Sequence, residues 1–217
     1  MASFNHSRDN QKAVTVTLTP PSASAPPRQR SPLLVVVIMW LAIIAALWLI
    51  EVVDYLLPAD LDRYGVMPRD PGYLAHIPLV PLLHAGFDHL SANTLPLLVL
   101  GFLTAMAGLS RFGIASALII AVSGLGVWIF EDAHTITVGA SGLVFGYFGY
   151  LVASGAFNRR MIDIVIALVV VVLYGSILWG VLPAQPGISW LGHLFGLIGG
   201  VAAAWLLRTR RPKGNPA

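Results

Sequence analysis

The sequence predicts an all-α integral membrane protein with six transmembrane helices. Of its 217 residues, 57% are hydrophobic and 11% are charged, whereas about a quarter of the residues of soluble domains are charged. Six apolar runs approach the ~20 residues that a helix needs to cross the hydrocarbon core, and a bundle of helices satisfies their backbone groups in lipid. The runs cover residues 33–57, 89–108, 112–130, 141–157, 161–181 and 189–208.

Polar segments flank these runs. Residues 1–31 are rich in Ser, Thr, Pro and Arg and lack apolar periodicity, which predicts a disordered tail. The first apolar run begins too late, is too long and lacks the small-residue cleavage site of a signal peptide. We therefore predict a disordered cytoplasmic tail over 1–31, a membrane domain over 32–208 and a basic cytoplasmic tail over 209–217. The chain has no cysteine, so no disulfide framework is expected.

Basic residues near helix ends set the orientation of a membrane protein. If the six helices alternate in direction, 11 of the 13 Lys and Arg residues fall on the side of both termini. Arg63 and Arg69 are the two exceptions, and the segments around them also carry carboxylates. We therefore predict that both termini are cytoplasmic.

Four polar side chains are expected at one depth below the outer surface, because spans two, four and six run in the same direction. In "HLSAN", at the start of span two, His89 and Asn93 are four residues apart and share a helix face. Ser141 begins span four, and His193 lies in the first turn of span six. Polar side chains in a membrane usually face the bundle interior or a cavity, so these four predict one site.

This set suits nucleophilic attack on a carbonyl carbon. A serine hydroxyl needs a base that takes its proton, and His193 is the candidate base for Ser141. The backbone N–H of that serine and the two polar side chains of span two are candidate donors to the oxyanion. No carboxylate lies at this depth in the three spans, so we predict a serine-histidine dyad. Glu131 or Asp132, in the preceding loop, is the alternative third member of a triad.

Glycines are expected to let spans four and six approach closely. Gly196 and Gly200 form a G-x-x-x-G pair that continues the His193 face of span six. Span four is thinned by Gly142, Gly146 and Gly149. Close packing of these two backbones would bring the histidine to the serine.

Taken in order, these motifs resemble those of the rhomboid family of intramembrane serine proteases. "GASG" at 139–142 is similar to the family's G-x-S-G around the nucleophile, and "HLSAN" at 89–93 to its H-x-x-x-N. "GHLFGLIGG" at 192–200 is similar to its histidine followed by G-x-x-x-G, and "LLHAGFDHL" to its approach to the second helix, including His84. The resemblance extends over residues 33–208.

The resemblance implies a rhomboid-like six-helix bundle of the bacterial type, in which a short central fourth helix begins at the nucleophile in a water-filled cavity open to the outside. It implies hydrolysis of peptide bonds in transmembrane protein substrates, without a metal or cofactor, in the bilayer of a bacterial inner membrane. Span five and the segment "LPAQPGIS" before span six would gate lateral entry. Nucleic acid is not an expected partner, and the oligomeric state stays open.

The resemblance also implies roles for individual residues. Ser141 and His193 would be catalytic, and the backbone of Ala140 and Ser141 would surround the oxyanion together with the side chains of His89 and Asn93. The residues implied to support the site are His84, Gly139, Gly142, Phe145, Gly196 and Gly200. Phe145 stands where many members of the family have a tyrosine packed on the catalytic imidazole, so we expect the ring stacking without the hydroxyl.

Three other classes of function are alternatives. A metalloprotease could use His84, His89 and His193, but the chain has no H-E-x-x-H and no carboxylate ligand at that depth. A transporter would explain polar groups at a broken helix, yet the two halves show no repeat and the groups lie near one surface. A catalytically inactive, rhomboid-like binding or quality-control protein is the nearest alternative. Such a protein would be expected to lack the serine or the histidine, and both are present.

Overall fold

The computed structural model describes residues 32–57, 60–183 and 187–209, and these are mostly helical. The α-helices within these described residues are α1 Pro32–Leu56, α2 Phe87–Met106, α3 Leu109–Phe130, α4 Ser141–Asn158, α5 Met161–Tyr174 and α6 Trp190–Leu206. They agree closely with the six predicted runs. The predicted tail 1–31, and all of the predicted tail 209–217 except Thr209, lie outside the described residues.

Four of the described helical segments are long and apolar enough to cross a membrane. Three of them are α1, α2 and α3, and the fourth is α5 together with the 3-10 helix Gly175–Val181 that continues it. The helices α4, with 18 residues, and α6, with 17, fall outside this set. Length and apolarity thus fit an integral membrane protein, and they identify four spans where the sequence predicted six.

The helix α4 lies at the centre of the bundle. It contacts α2, α3, α5 and α6, and every residue from Val144 to Leu151 is buried. A helix that is buried on all sides has no need of a polar face, which fits the glycine-rich and aromatic sequence of α4. The buried hydroxyl of Tyr147 lies 2.8 Å from the hydroxyl of Ser116 in α3. The polar group is therefore satisfied within the bundle.

Glycines bring α4 and α6 into backbone contact, as their spacing predicted. A Cβ atom on Gly196 would overlap the carbonyl oxygen of Gly142, and one on Gly200 would overlap that of Gly146. Side chains at these positions would push the helices apart. The contact between Gly142 and Gly196 joins the first turn of α4, where Ser141 lies, to the first half of α6.

The segment between α1 and α2 forms two 3-10 helices, Leu61–Tyr64 and Pro71–Leu82. The sequence did not predict them, because prolines interrupt the second one and its apolar residues show no helical period. A pair of backbone hydrogen bonds, 2.9 and 3.0 Å long, joins Val66 of this segment to Thr137. The segment therefore supports the loop that leads into α4.

Candidate active site

Ser141 is the first residue of α4 and follows a loop that is held tightly. The backbone N–H of Gly139 donates to the carbonyl oxygen of Val80 at 2.9 Å. Gly139 has a φ of 121°, a conformation that favours glycine. A Cβ atom there would also lie 2.6 Å from Cε1 of His89. Both the backbone conformation and the contact with the histidine therefore require glycine two residues before the serine.

His193 lies one turn into α6, and 8% of its surface is exposed. Its Nδ1 is 2.8 Å from the carbonyl oxygen of Gly180. A carbonyl oxygen only accepts, so Nδ1 carries the proton in the neutral ring and Nε2 keeps its lone pair. The ring of Phe145 stacks on the imidazole, with centroids 4.1 Å apart and planes 7° from parallel. These two contacts fix the orientation and the tautomer of a ring that can act as a base through Nε2.

A cavity of about 930 Å³ joins the residues that the sequence placed at one depth. Ser141, His193, His89 and Asn93 all line it, and the rest of its lining is mainly apolar. Among the described residues, no hydrogen bond joins the serine hydroxyl to the imidazole; such bonds often tighten only when substrate binds.

Donors for an anionic oxygen surround the serine. The side-chain amide of Asn93 donates to the carbonyl oxygen of His89 at 3.0 Å, which leaves its second N–H for another acceptor. The N–H of Ser141 lies in the first turn of α4, where no intrahelical acceptor exists and the helix dipole is positive. These groups and the His89 ring can therefore stabilise negative charge that develops beside Ser141.

Ala140 is in a different situation. Its backbone N–H donates to Nε2 of His84 at 3.3 Å, so this amide already has a partner. An oxyanion could use the amide only after that bond broke. The geometry therefore favours Ser141, His89 and Asn93 over Ala140 as oxyanion donors, and it assigns Ala140 to the bond that positions the loop.

His84 lies before α2, outside the membrane-spanning helices, and is 2% exposed. Burial, and secondarily the nearby His89, lower the pKa of His84 from 6.5 to about 4. The two rings meet edge-on with centroids 5.3 Å apart. Only a neutral imidazole can accept from the Ala140 amide, so the lowered pKa preserves this bond at neutral and mildly acidic pH.

We expect His84→Gln to make folding stability less sensitive to pH between about 4 and 6.5. In the wild type, the unfolded chain takes up the His84 proton at a higher pH than the folded chain, so stability falls as the pH falls through this window. Glutamine can still accept from Ala140 but does not titrate. Thermal unfolding midpoints of both proteins across this range test this, and parallel pH curves would contradict it.

Two hydrogen bonds of the site were not predicted from the sequence. The carbonyl of Gly180 holds His193, and a backbone acceptor has no side-chain signal. Glu131, the candidate third member of a triad, instead accepts a hydrogen bond from the Ser189 hydroxyl at 2.6 Å.

Across residues 32–57, 60–183 and 187–209, no group of three His, Cys, Asp or Glu side chains is arranged to hold a metal ion.

Comparison with known proteins agrees with the resemblance of the motifs. The Rhomboid domain model matches residues 71–210. An uncharacterized protein of Mycobacterium tuberculosis is 46% identical over 183 residues, which cover 81% of this chain and 76% of the relative. An uncharacterized protein of Mycobacterium leprae is 43% identical over 175 residues, covering 77% of this chain and 69% of the relative.

A Bacillus subtilis protein, YdcA, which is provisionally named a rhomboid protease, is 32% identical over 132 residues. That match covers 58% of this chain and 63% of the relative. The family model alone spans more than half of the chain and includes α2 to α6. From the match to the family model and the identity to the mycobacterial relatives, we conclude that this chain belongs to the rhomboid family.

Proposed function

We propose that this chain is an intramembrane serine endopeptidase that cuts peptide bonds in or near the transmembrane segments of other membrane proteins, using a dyad of Ser141 and His193. Membership of the rhomboid family suggests this class of reaction. The observation that carries the proposal is the environment of His193. The carbonyl of Gly180 binds Nδ1, the ring of Phe145 holds the imidazole plane, and Nε2 remains as a base in the cavity that Ser141 lines.

In the proposed reaction, the Ser141 hydroxyl oxygen attacks the carbonyl carbon of the scissile peptide while Nε2 of His193 takes its proton. The tetrahedral intermediate then collapses, the C–N bond breaks, and the imidazolium gives the proton to the leaving amine. Water next attacks the acyl-serine ester, again with His193 as the base, and releases the carboxylic acid and the free serine. The Gly180 carbonyl stabilises the imidazolium, because it accepts from Nδ1–H throughout.

The proposal includes six membrane crossings, with both termini in the cytoplasm of a bacterium and the cavity facing the extracytoplasmic side. The distribution of Lys and Arg supports this orientation. The position of α4 supports a crossing that is short, because neighbouring helices rather than lipid surround it. The domain division at residues 31 and 209 and the use of transmembrane proteins as substrates belong to the same proposal.

A catalytically inactive protein that only binds membrane proteins is the alternative. The chain retains both the serine and the histidine, and their surroundings suit a base and an oxyanion. An inactive binding protein has no need of a fixed imidazole tautomer. The arrangement around His193 therefore favours the protease.

The proposal is tested by incubating the purified full chain, reconstituted in lipid vesicles, with single-span membrane proteins. We expect two products whose masses place the cut in or near the transmembrane segment. We also expect the same rate in the presence of a metal chelator. Inhibition by the chelator would favour a metalloprotease, and binding of the substrates without any product would favour the inactive alternative.

Asn93→Ala is expected to lower kcat by roughly 10²-fold while KM changes little, because an oxyanion donor acts mainly in the transition state. Thr94→Ala is the matched control, since Thr94 neighbours Asn93 on α2 but bonds to the Leu90 carbonyl and Trp48 instead of lining the cavity. Initial rates over a range of substrate densities in the vesicle separate kcat from KM. A change confined to KM would remove Asn93 from the oxyanion site.

A further inference from the structure

Glu131 follows the last residue of α3, a position that electrostatics does not favour for an acid. The carbonyl end of a helix is negative, so a carboxylate there is destabilising, whereas one near an N-terminus is stabilising. The carboxylate of Glu131 lies at such an N-terminus, that of α6. Its Oε2 accepts a hydrogen bond from the hydroxyl of Ser189, the residue directly before α6, at 2.6 Å.

Ser189 in turn caps the helix that carries His193. Its hydroxyl oxygen accepts from the backbone N–H of Gly192 at 3.1 Å, which satisfies one of the N–H groups left free at a helix start. Its carbonyl oxygen accepts from the backbone N–H of His193 at 3.3 Å. The residue that Glu131 holds is therefore bonded to both Gly192 and His193.

We propose that Glu131 is a positioning residue for His193 and acts through Ser189; this inference rests on the proposed protease function. A serine hydroxyl has one hydrogen and can rotate. When Glu131 takes that hydrogen, the oxygen keeps its lone pairs for the Gly192 N–H. Without Glu131, the hydroxyl can rotate, donate elsewhere and release the cap.

The Ser189 cap affects the base because the position of the His193 ring depends on the backbone of α6 as well as on the contacts of the ring itself. Phe145 of α4 and the Gly180 carbonyl fix the orientation of the ring. The backbone of the first turn of α6 fixes the position of the Cα atom from which the side chain extends. A second bond from α3 supports the same turn, since the Ser123 hydroxyl donates to the Gly192 carbonyl at 2.8 Å. The bond from Ser189 to Glu131 extends this contact to the outer end of α3.

Ser189 is also the last residue of the predicted gating segment "LPAQPGIS", of which residues 184–186 lie outside the described part of the chain. The bond from Ser189 to Glu131 therefore lies at the end of this segment, immediately before α6.

The test compares Glu131→Ala and Glu131→Gln with the wild type in the vesicle cleavage assay. Glutamine keeps an oxygen that accepts from Ser189 but carries no charge, whereas alanine keeps neither. We expect the alanine variant to lower kcat by roughly 10- to 100-fold with KM nearly unchanged, because small displacements of a catalytic group are costly. We expect the glutamine variant to restore most of the wild-type kcat.

Three further variants sharpen the comparison. Asp60→Ala removes an exposed carboxylate that makes no capping hydrogen bond and does not line the cavity, and it should leave kcat within about twofold. Ser189→Ala should lower kcat as Glu131→Ala does, and the double variant should lower it no further, because both changes remove the same cap. Unfolding midpoints measured in parallel identify any variant that merely fails to fold.

Equal loss in the glutamine and alanine variants, or additive losses in the double variant, would overturn the positioning role. A shift of the acid limb of the kcat-pH profile in Glu131→Gln would also overturn it, since that result would mean that the charge acts on His193 directly. These outcomes are distinct from failure of the proposed function, in which the wild-type chain itself cleaves nothing.

Discussion

Ser141→Ala is expected to lower kcat for a single-span substrate by roughly 10⁴-fold or more, because no other group replaces the nucleophile. Ser123 also lines the cavity, but its hydroxyl donates to the Gly192 carbonyl at 2.8 Å and is not free to attack. The control is Ser110→Ala, which removes an exposed hydroxyl from the first turn of α3. Cleavage rates of all three proteins, at equal amounts of folded protein, provide the measurement.

His193→Ala should lower kcat to a similar extent, because a serine and its base act as one unit. For the same reason, the double variant with Ser141→Ala should be no worse than either single variant. His134→Asn, in the exposed loop before α4, is the matched control and should cleave like the wild type. Appreciable cleavage by either the Ser141 or the His193 variant would contradict the dyad.

Gly196→Ala is expected to lower activity by roughly 100-fold and to lower the free energy of unfolding by about 1–3 kcal/mol. The added methyl group would overlap the carbonyl oxygen of Gly142, and it would lie 3.0 Å from the carbonyl carbon of that residue. These atoms are backbone, so no side chain can turn aside to relieve the overlap. Because Gly142 adjoins Ser141 and Gly196 is one turn from His193, the separation of the helices directly increases the distance between nucleophile and base.

Gly113→Ala is the matched control for this substitution. Gly113 lies in α3, and a Cβ atom there would have no neighbour within 4 Å. The change should leave cleavage intact and raise stability slightly, since alanine favours a helix by up to about 1 kcal/mol over glycine. If Gly196→Ala and Gly113→Ala behaved alike in cleavage and unfolding, close contact between α4 and α6 would not be what brings the site together.

The sequence predicted where each described α-helix lies, and it predicted that four polar side chains would come together. Each of His89, Asn93, Ser141 and His193 is a polar group in an apolar run, and the directions of the spans bring them to one depth. Such groups stand out because burying them is costly unless they face one another or water. The close packing of α4 and α6 was predictable because the glycine pair Gly196 and Gly200 begins three residues after His193 and continues its face of the helix.

Contacts made by backbone atoms were not predictable. The acceptor for His193 is the carbonyl of Gly180, and the donor to His84 is the amide of Ala140. Every residue other than proline offers the same two backbone groups, so the sequence cannot indicate which one is used. The bond between Glu131 and Ser189 depends in the same way on how α3 and α6 meet, 58 residues apart in the chain.

The most direct test of the dyad is labelling of the protein in membranes with a fluorophosphonate, which forms a covalent bond only with an activated serine. We predict that mass spectrometry of the digested wild-type chain finds the adduct on Ser141. The adduct should be absent from Ser141→Ala and strongly reduced in His193→Ala. An adduct on another serine, or labelling of Ser141 that does not depend on His193, would contradict the assignment of these two residues as nucleophile and base.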